Sequence, residues 1–215
     1  MSRPVLFLFD GQNVLDDAGS FAGGWHAHRA VDRYAVRRAN PPIIVAIDHG
    51  HEARIDELTP FSDGRRGGKA DAFIGWIAGT LMPRVRAELG VSTDPKHTII
   101  GGSSLGGLAA LYAHYRFPAV FGGALSMSPS LWFGRQQVFD FVAQQGVPWT
   151  SKVYLDAGVR EARGSMLAVA RQMAQHLEAR GYGRDRLKFK AEQRGGHDEA
   201  SWRRRLPGAI RFLYG

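Results

Sequence analysis

The chain of 215 residues contains no cysteine. That excludes disulfides, thiolate metal sites and cysteine nucleophiles, and it leaves the compartment open. Long apolar runs are missing as well. A helix needs about 20 apolar residues to cross a bilayer, and in MSRPVLFLFDGQN the apolar stretch Val5–Phe9 is already ended by Asp10. A secretory leader calls for a longer run and a small-residue cleavage site, so a cytoplasmic protein with no membrane partner is expected. Acidic residues are in deficit: 20 Asp and Glu face 28 Lys and Arg, a formal charge of +8. Such an excess suits nucleic acid, a membrane surface or an anionic small ligand. Here the arginines recur singly or in pairs, only residues 203–205 form a run, and no aromatic-interleaved basic stripe accompanies them. The expectation is a solvated Arg-rich surface and no nucleic-acid partner, with attraction of an acidic substrate as the secondary reading.

What is present is ordinary globular material, 44% hydrophobic and 22% charged. The 27 glycines and 10 prolines are spread along the chain without repeats or low-complexity tracts, which argues for one domain over residues 1–215. Short apolar runs at 5–9, 43–47, 97–100, 120–126, 152–157 and 187–191 read as strands, several of them apolar on both faces. Amphipathic stretches near 26–39, 69–89, 105–116, 131–144, 165–180 and 199–213 read as helices. This alternation predicts an α/β fold, a mostly parallel central sheet between two helical layers. Ligands of such folds gather at the C-terminal ends of the strands. The positions to inspect are therefore 10–13, 48–51, 101–106, 126–130, 158–161 and 195–198.

One of those loops holds G-x-S-x-G. Gly102-Ser103-Ser104-Leu105-Gly106 centres it on Ser104, because Ser103 would need glycine at 105. A strand before and a helix after are the surroundings of a nucleophile elbow, in which a sharp turn exposes the hydroxyl and the next amide faces a developing oxyanion. The same pentapeptide also arises by chance. A phosphate loop would end in Gly-Lys-Ser/Thr, and this one has no lysine. A dinucleotide site would need G-x-G-x-x-G after the first strand, which is absent.

A serine hydroxyl needs a base. On an elbow fold the order runs Ser, acid, His, leaving His114, His176 and His197. His114 and His176 fall within helical stretches, whereas His197 follows Gly195-Gly196 in the loop before the last helix and can swing over Ser104. Among the acids, Glu161 stands three residues past Gly158, in a loop; Asp156, still within its strand pattern, comes second, and Glu192 at a strand end stays open. Asp198 reads as a helix cap. The Leu105 amide, with the Gln12 amide in the loop after the first strand, would form the oxyanion hole, although Asp10-Gly11 also suits a plain turn. His49 and His51 flank Gly50 without a clear third ligand, so no metal is expected. Ser130 and Trp132, in SPSLW, and Trp202 would line the substrate pocket, and the tryptophans suit a core equally well.

Six segments, FLFDGQNVLD, IIVAIDHGHEARIDELTP, GGKADAFIGWIAGTLMPRV, TIIGGSSLGGLAALYAHYRFPAVFGGALSMSPSLW, VYLDAGVRE and GGHDEASWRRRL, resemble the esterase branch of the α/β-hydrolases that includes esterase D-like and enterochelin-esterase-like enzymes. The resemblance spans nearly the whole chain. It implies a three-layer α/β-hydrolase sandwich with little or no lid, and a carboxylic ester hydrolase with Ser104 as nucleophile, His197 as base and Glu161 as acid. No cofactor is implied. Arg54 matches an arginine near the substrate site of siderophore-cleaving relatives. A small-molecule ester is the expected partner, with siderophore trilactones or thioesters as alternatives; a non-catalytic ligand-binding protein on the same fold is the alternative of another class.

Overall fold

The computed structural model describes residues 2–18, 20, 22–148 and 151–215. In chain order the strands are β1 (Val5–Phe9), β2 (Ile43–Ile47), the two-residue β3 (Ser62–Asp63) and β4 (Arg66–Gly67), β5 (Thr98–Ser103), β6 (Gly123–Met127), β7 (Lys152–Gly158) and β8 (Leu187–Glu192). The helices are α1 (Ala27–Ala35), α2 (Arg54–Leu58), α3 (Ala70–Trp76), α4 (Met82–Leu89), α5 (Leu105–Arg116), α6 (Gln137–Gln144), α7 (Ser165–Ala179) and α8 (Glu199–Tyr214). Six strands make one sheet in the order β2-β1-β5-β6-β7-β8, with every neighbouring pair parallel. β3 and β4 pair antiparallel in a separate ribbon.

The two-residue period of the strands sorts their side chains into two cores. Val5, Phe7 and Phe9 point into one, Leu6 and Leu8 into the other. The same split separates Ile100 from Ile99, Ala124 from Leu125, and Val153 and Leu155 from Tyr154. Helices α2 to α7 cover the first core. The second is closed by α1 and α8, through Ala27, Ala30, Trp202, Leu206 and Ile210. Three layers with a sheet apolar on both faces follow directly from that pattern.

Several expected boundaries move for local reasons. The strand expected at 97–100 is β5, which runs on through two glycines to Ser103. A β-carbon on Gly101 would lie 2.7 Å from the Leu125 β-carbon, so the missing side chain is what lets β5 and β6 pair to their ends. Val120 belongs to a turn closed by bonds from the Val120 and Phe121 amides to the Phe117 carbonyl, and β6 starts only at Gly123. The stretch 131–144 is broken where Gly134, Arg135 and Gln136 adopt positive φ, leaving α6 to begin at Gln137. The stretch 69–89 is instead one rod, α3 and α4 joined by a π-turn over Ile77–Leu81. Among the described residues, no helix is long and apolar enough to cross a membrane.

Candidate active site

β5 ends in the turn that carries Ser104. Its backbone sits at φ 56° and ψ −120°, outside the regions where non-glycine residues rest comfortably. The neighbours hold it there. The Ser104 amide donates to the Met127 carbonyl at 3.0 Å, and the Ser104 carbonyl accepts from Leu108, the first bond of α5, and from Ser130. Strand and helix meet so closely that a β-carbon on Gly102 would stand 2.7 Å from the Gly106 carbonyl carbon. Gly102→Ala should therefore lower unfolding stability by about 1–3 kcal/mol, the usual cost of overpacking; a urea midpoint equal to wild type would contradict this.

His197 follows β8 in the loop before α8, whose N-cap is Asp198: the Asp198 carboxylate accepts from the Ser201 amide at 2.7 Å. Its Nε2 lies 3.0 Å from Ser104 Oγ and its Nδ1 3.1 Å from Glu161 Oε2. Glu161 comes off the end of β7 in a short 3-10 turn and is buried. Its other oxygen accepts from the Ser128 hydroxyl at 2.7 Å and the Gly158 amide at 2.8 Å. Burial alone would raise this carboxyl. The bonds from His197, Ser128 and Gly158, with the Arg205 charge nearby, outweigh it and hold Glu161 below the usual range.

Beneath Glu161 lies a buried polar cluster. Ser128, itself at φ 41°, accepts from the Trp202 indole at 3.0 Å and from Arg205 at 2.9 Å, so its one hydrogen and two lone pairs are all engaged. Arg205 is enclosed between two carboxylates, 3.3 Å from Asp156 and 3.6 Å from Glu161. Asp156 sits inside β7 and also accepts from the Ser128 amide. Burial pushes its carboxyl up to about 6, against the pull of Arg205.

At the front of the site, the turn Gly11–Asn13 follows β1. The Gln12 side chain donates to the His49 carbonyl and accepts from the His49 amide, tying this turn to the loop after β2. Gly11 packs where a β-carbon would come within 2.8 Å of the Asp48 amide nitrogen. The Leu105 amide precedes the first bond of α5, and the helix dipole adds to its pull on negative charge. Arg54 grips Asp10 through two bonds of 2.6 and 2.8 Å. Trp132, two residues past Ser130, is 52% exposed. The His49 and His51 rings stand edge to face 5.5 Å apart, the His51 amide donating to His49 Nδ1. Among the described residues, no group of three or more His, Asp or Glu could hold a metal ion.

Residues 2–213 match the family model described as "Putative esterase". This chain belongs to that esterase family. It is 31% identical over 236 residues to the iron(III) enterobactin esterase of Dickeya dadantii, covering 98% of this chain and 48% of the relative. To the iron(III) salmochelin esterase of Escherichia coli O6:H1 it is 32% identical over 230 residues, 100% of this chain and 52% of that one. This chain thus spans about half the length of these two curated relatives. The crystal structure of the BES protein from Bacillus cereus superposes with a TM-score of 0.78 at 23% identity, over 99% of this chain and 83% of that one, which places the fold among the α/β-hydrolases.

Within this family member, two readings of the sequence need correction. Trp202 was expected to line the pocket. It is 5% exposed: its indole is bonded to Ser128, and its ring stands edge-on behind His197, 5.1 Å between centroids, and against Trp25. Arg54, which the resemblance sets near the substrate site, is ion-paired with Asp10. The run at 203–205 is not uniformly a solvated face. Arg203 and Arg204 are exposed, whereas Arg205, one helical turn from Trp202, is buried. Sequence reasoning gave no role to Ser128 or Arg205. The i, i+3 spacing of Trp202 and Arg205 was the available signal for the second.

Proposed function

We propose that this chain is a serine carboxylic ester hydrolase that works through an acyl-enzyme. The observation that carries the reading is the unbroken hydrogen-bonded chain from Ser104 Oγ through His197 to Glu161, with links of 3.0 and 3.1 Å. Ser104 Oγ attacks the ester carbonyl carbon while its proton passes to His197 Nε2. The charge that collects on the carbonyl oxygen is met by the amides of Leu105 and Gln12. His197 returns the proton to the departing alcohol, then takes one from the water that cleaves the acyl-enzyme. Glu161 accepts the Nδ1 hydrogen, which leaves Nε2 as the acceptor and offsets the imidazolium charge. These steps use no cofactor.

Small carboxylic esters are the substrate class assigned. The names of the two curated relatives favour a more specific second reading, a siderophore lactone ester. Trp132, exposed two residues past Ser130, is the aromatic side chain assigned to contact either. The two readings part on rate: a trilactone siderophore cleaved at least tenfold faster than a p-nitrophenyl ester, per unit kcat/KM, selects the second.

A fluorophosphonate probe tests the chemistry. It should modify the protein at one site, Ser104, with Ser104→Ala unlabelled; labelling of that variant to the same extent removes Ser104 from the mechanism. Glu161→Gln should lower turnover by about 10²–10⁴-fold, because an amide can present N–H to Nδ1 and invert the imidazole tautomer. A steady-state rate within threefold of wild type would show that the acid contributes nothing.

A further inference from the structure

Ser130 lies on the loop after β6 and is 2% exposed. Its Oγ is 3.2 Å from Ser104 Oγ, its one side-chain hydrogen-bond partner among the described residues. Its amide donates to the Ser104 carbonyl at 2.9 Å, which fixes the hydroxyl beside the nucleophile. Two other buried serines of this segment are committed elsewhere: Ser126 donates to the Gly107 carbonyl, and Ser128 is fully engaged beneath Glu161.

We infer that Ser130 is a catalytic residue, donating to the Ser104 oxygen and acting chiefly when that oxygen leaves the acyl carbon. The inference rests on the esterase reading above. It begins with a count of protons. A hydroxyl has one hydrogen and two lone pairs. In the reactive arrangement Ser104 commits its hydrogen to His197 Nε2, so the bond between the two serines runs from the Ser130 hydroxyl to a Ser104 lone pair.

Such a bond strengthens as charge builds on its acceptor. Before acylation Ser104 Oγ is a hydroxyl oxygen, already a good acceptor, so the ground state enjoys most of the benefit. In the acyl-enzyme the same atom is an ester oxygen, a poor acceptor. Deacylation begins when water adds to the acyl carbon and gives its proton to His197. The bond from that carbon to Ser104 Oγ then breaks, its electron pair stays on Oγ, and His197 Nε2 delivers the proton, leaving a carboxylic acid and the free Ser104 hydroxyl. The Ser130 bond gains most across this departure, so it speeds deacylation more than acylation.

Pre-steady-state hydrolysis of p-nitrophenyl acetate by wild type, Ser130→Ala, Ser130→Cys and Ser104→Ala tests this. In Ser130→Ala the burst of p-nitrophenol should stay within about threefold of wild type in rate, while steady-state kcat falls by about 10–30-fold, the effect of a hydrogen bond to a charged group. The burst then approaches one equivalent, and intact mass shows an acetyl group on the protein. Ser130→Cys, with a weaker donor of similar shape, should fall between the two. A burst and turnover slowed together would mean that Ser130 only shapes the turn, and unchanged rates in both variants would mean that it does nothing; either overturns the inference. Undiminished turnover by Ser104→Ala would overturn the esterase reading itself, a result separate from both.

Discussion

Ser104→Ala lowers kcat for p-nitrophenyl acetate by about four orders of magnitude or more while leaving the fold intact, the loss expected when the nucleophile of a serine-histidine pair is removed. The size follows from what remains. In the proposed mechanism the amides at Leu105 and Gln12 and the imidazole of His197 can still assist a direct attack by water, which accounts for a small residual rate over the uncatalysed reaction. The fold survives because the deleted hydroxyl is bonded to His197 and Ser130 at the edge of the solvent-facing site, where water can satisfy Nε2. Alanine at φ 56° is no more strained than serine there, since both carry a β-carbon. His197→Ala should lose a comparable factor, and combining the two substitutions should add little, because residues acting as one unit do not contribute independently. Retention of more than a hundredth of wild-type turnover in the single Ser104→Ala variant would rule out the proposed nucleophile.

How much of this site could be read from the residues depends on the kind of constraint involved. The elbow was legible because a β-carbon at 102 would run into the Gly106 backbone and one at 106 would crowd Phe9 and Asp10, leaving glycines at fixed offsets around a serine. His197 and Glu161 were legible from topology, since loops after successive parallel strands converge on one edge of the sheet. The π-turn joining α3 and α4 leaves the apolar stripe of 69–89 intact, and that helix could be anticipated. The break at Gly134, Arg135 and Gln136 was hidden, because arginine and glutamine seldom take positive φ and nothing local announces it. Trp202 looked like pocket lining because an indole suits either a wet or a dry partner; its N–H finds Ser128 in the interior. Arg205 was missed for the opposite reason. Arginine is almost never fully buried unless paired, and its partners lie 44 and 49 residues away along the chain, on and just beyond β7.

That buried guanidinium sets up a large stability effect. Arg205→Met removes the positive charge held between Asp156 and Glu161 while keeping much of the side-chain volume. Two carboxylates then share an enclosed space with no counter-charge, and a loss of about 3–5 kcal/mol at pH 7 is expected, the penalty for breaking a buried pair by removing one partner. The pH dependence identifies the cause. Asp156 in the folded protein is raised to about 6, above the ordinary carboxyl value of 3.8, so folding binds a proton between those values and this group alone makes stability fall as pH rises through that window. Glu161 has the opposite sign: its folded value is lowered, so its contribution is present above the unfolded value and is lost as pH falls through the folded one. Without Arg205 the Asp156 carboxyl moves higher still, and at pH 5 it is neutral in the folded variant. The gap between wild type and Arg205→Met should therefore be smaller at pH 5 than at pH 7, as read from urea unfolding at the two values. A gap that stays constant would assign the loss to packing around the aliphatic stem of Arg205 and not to its charge.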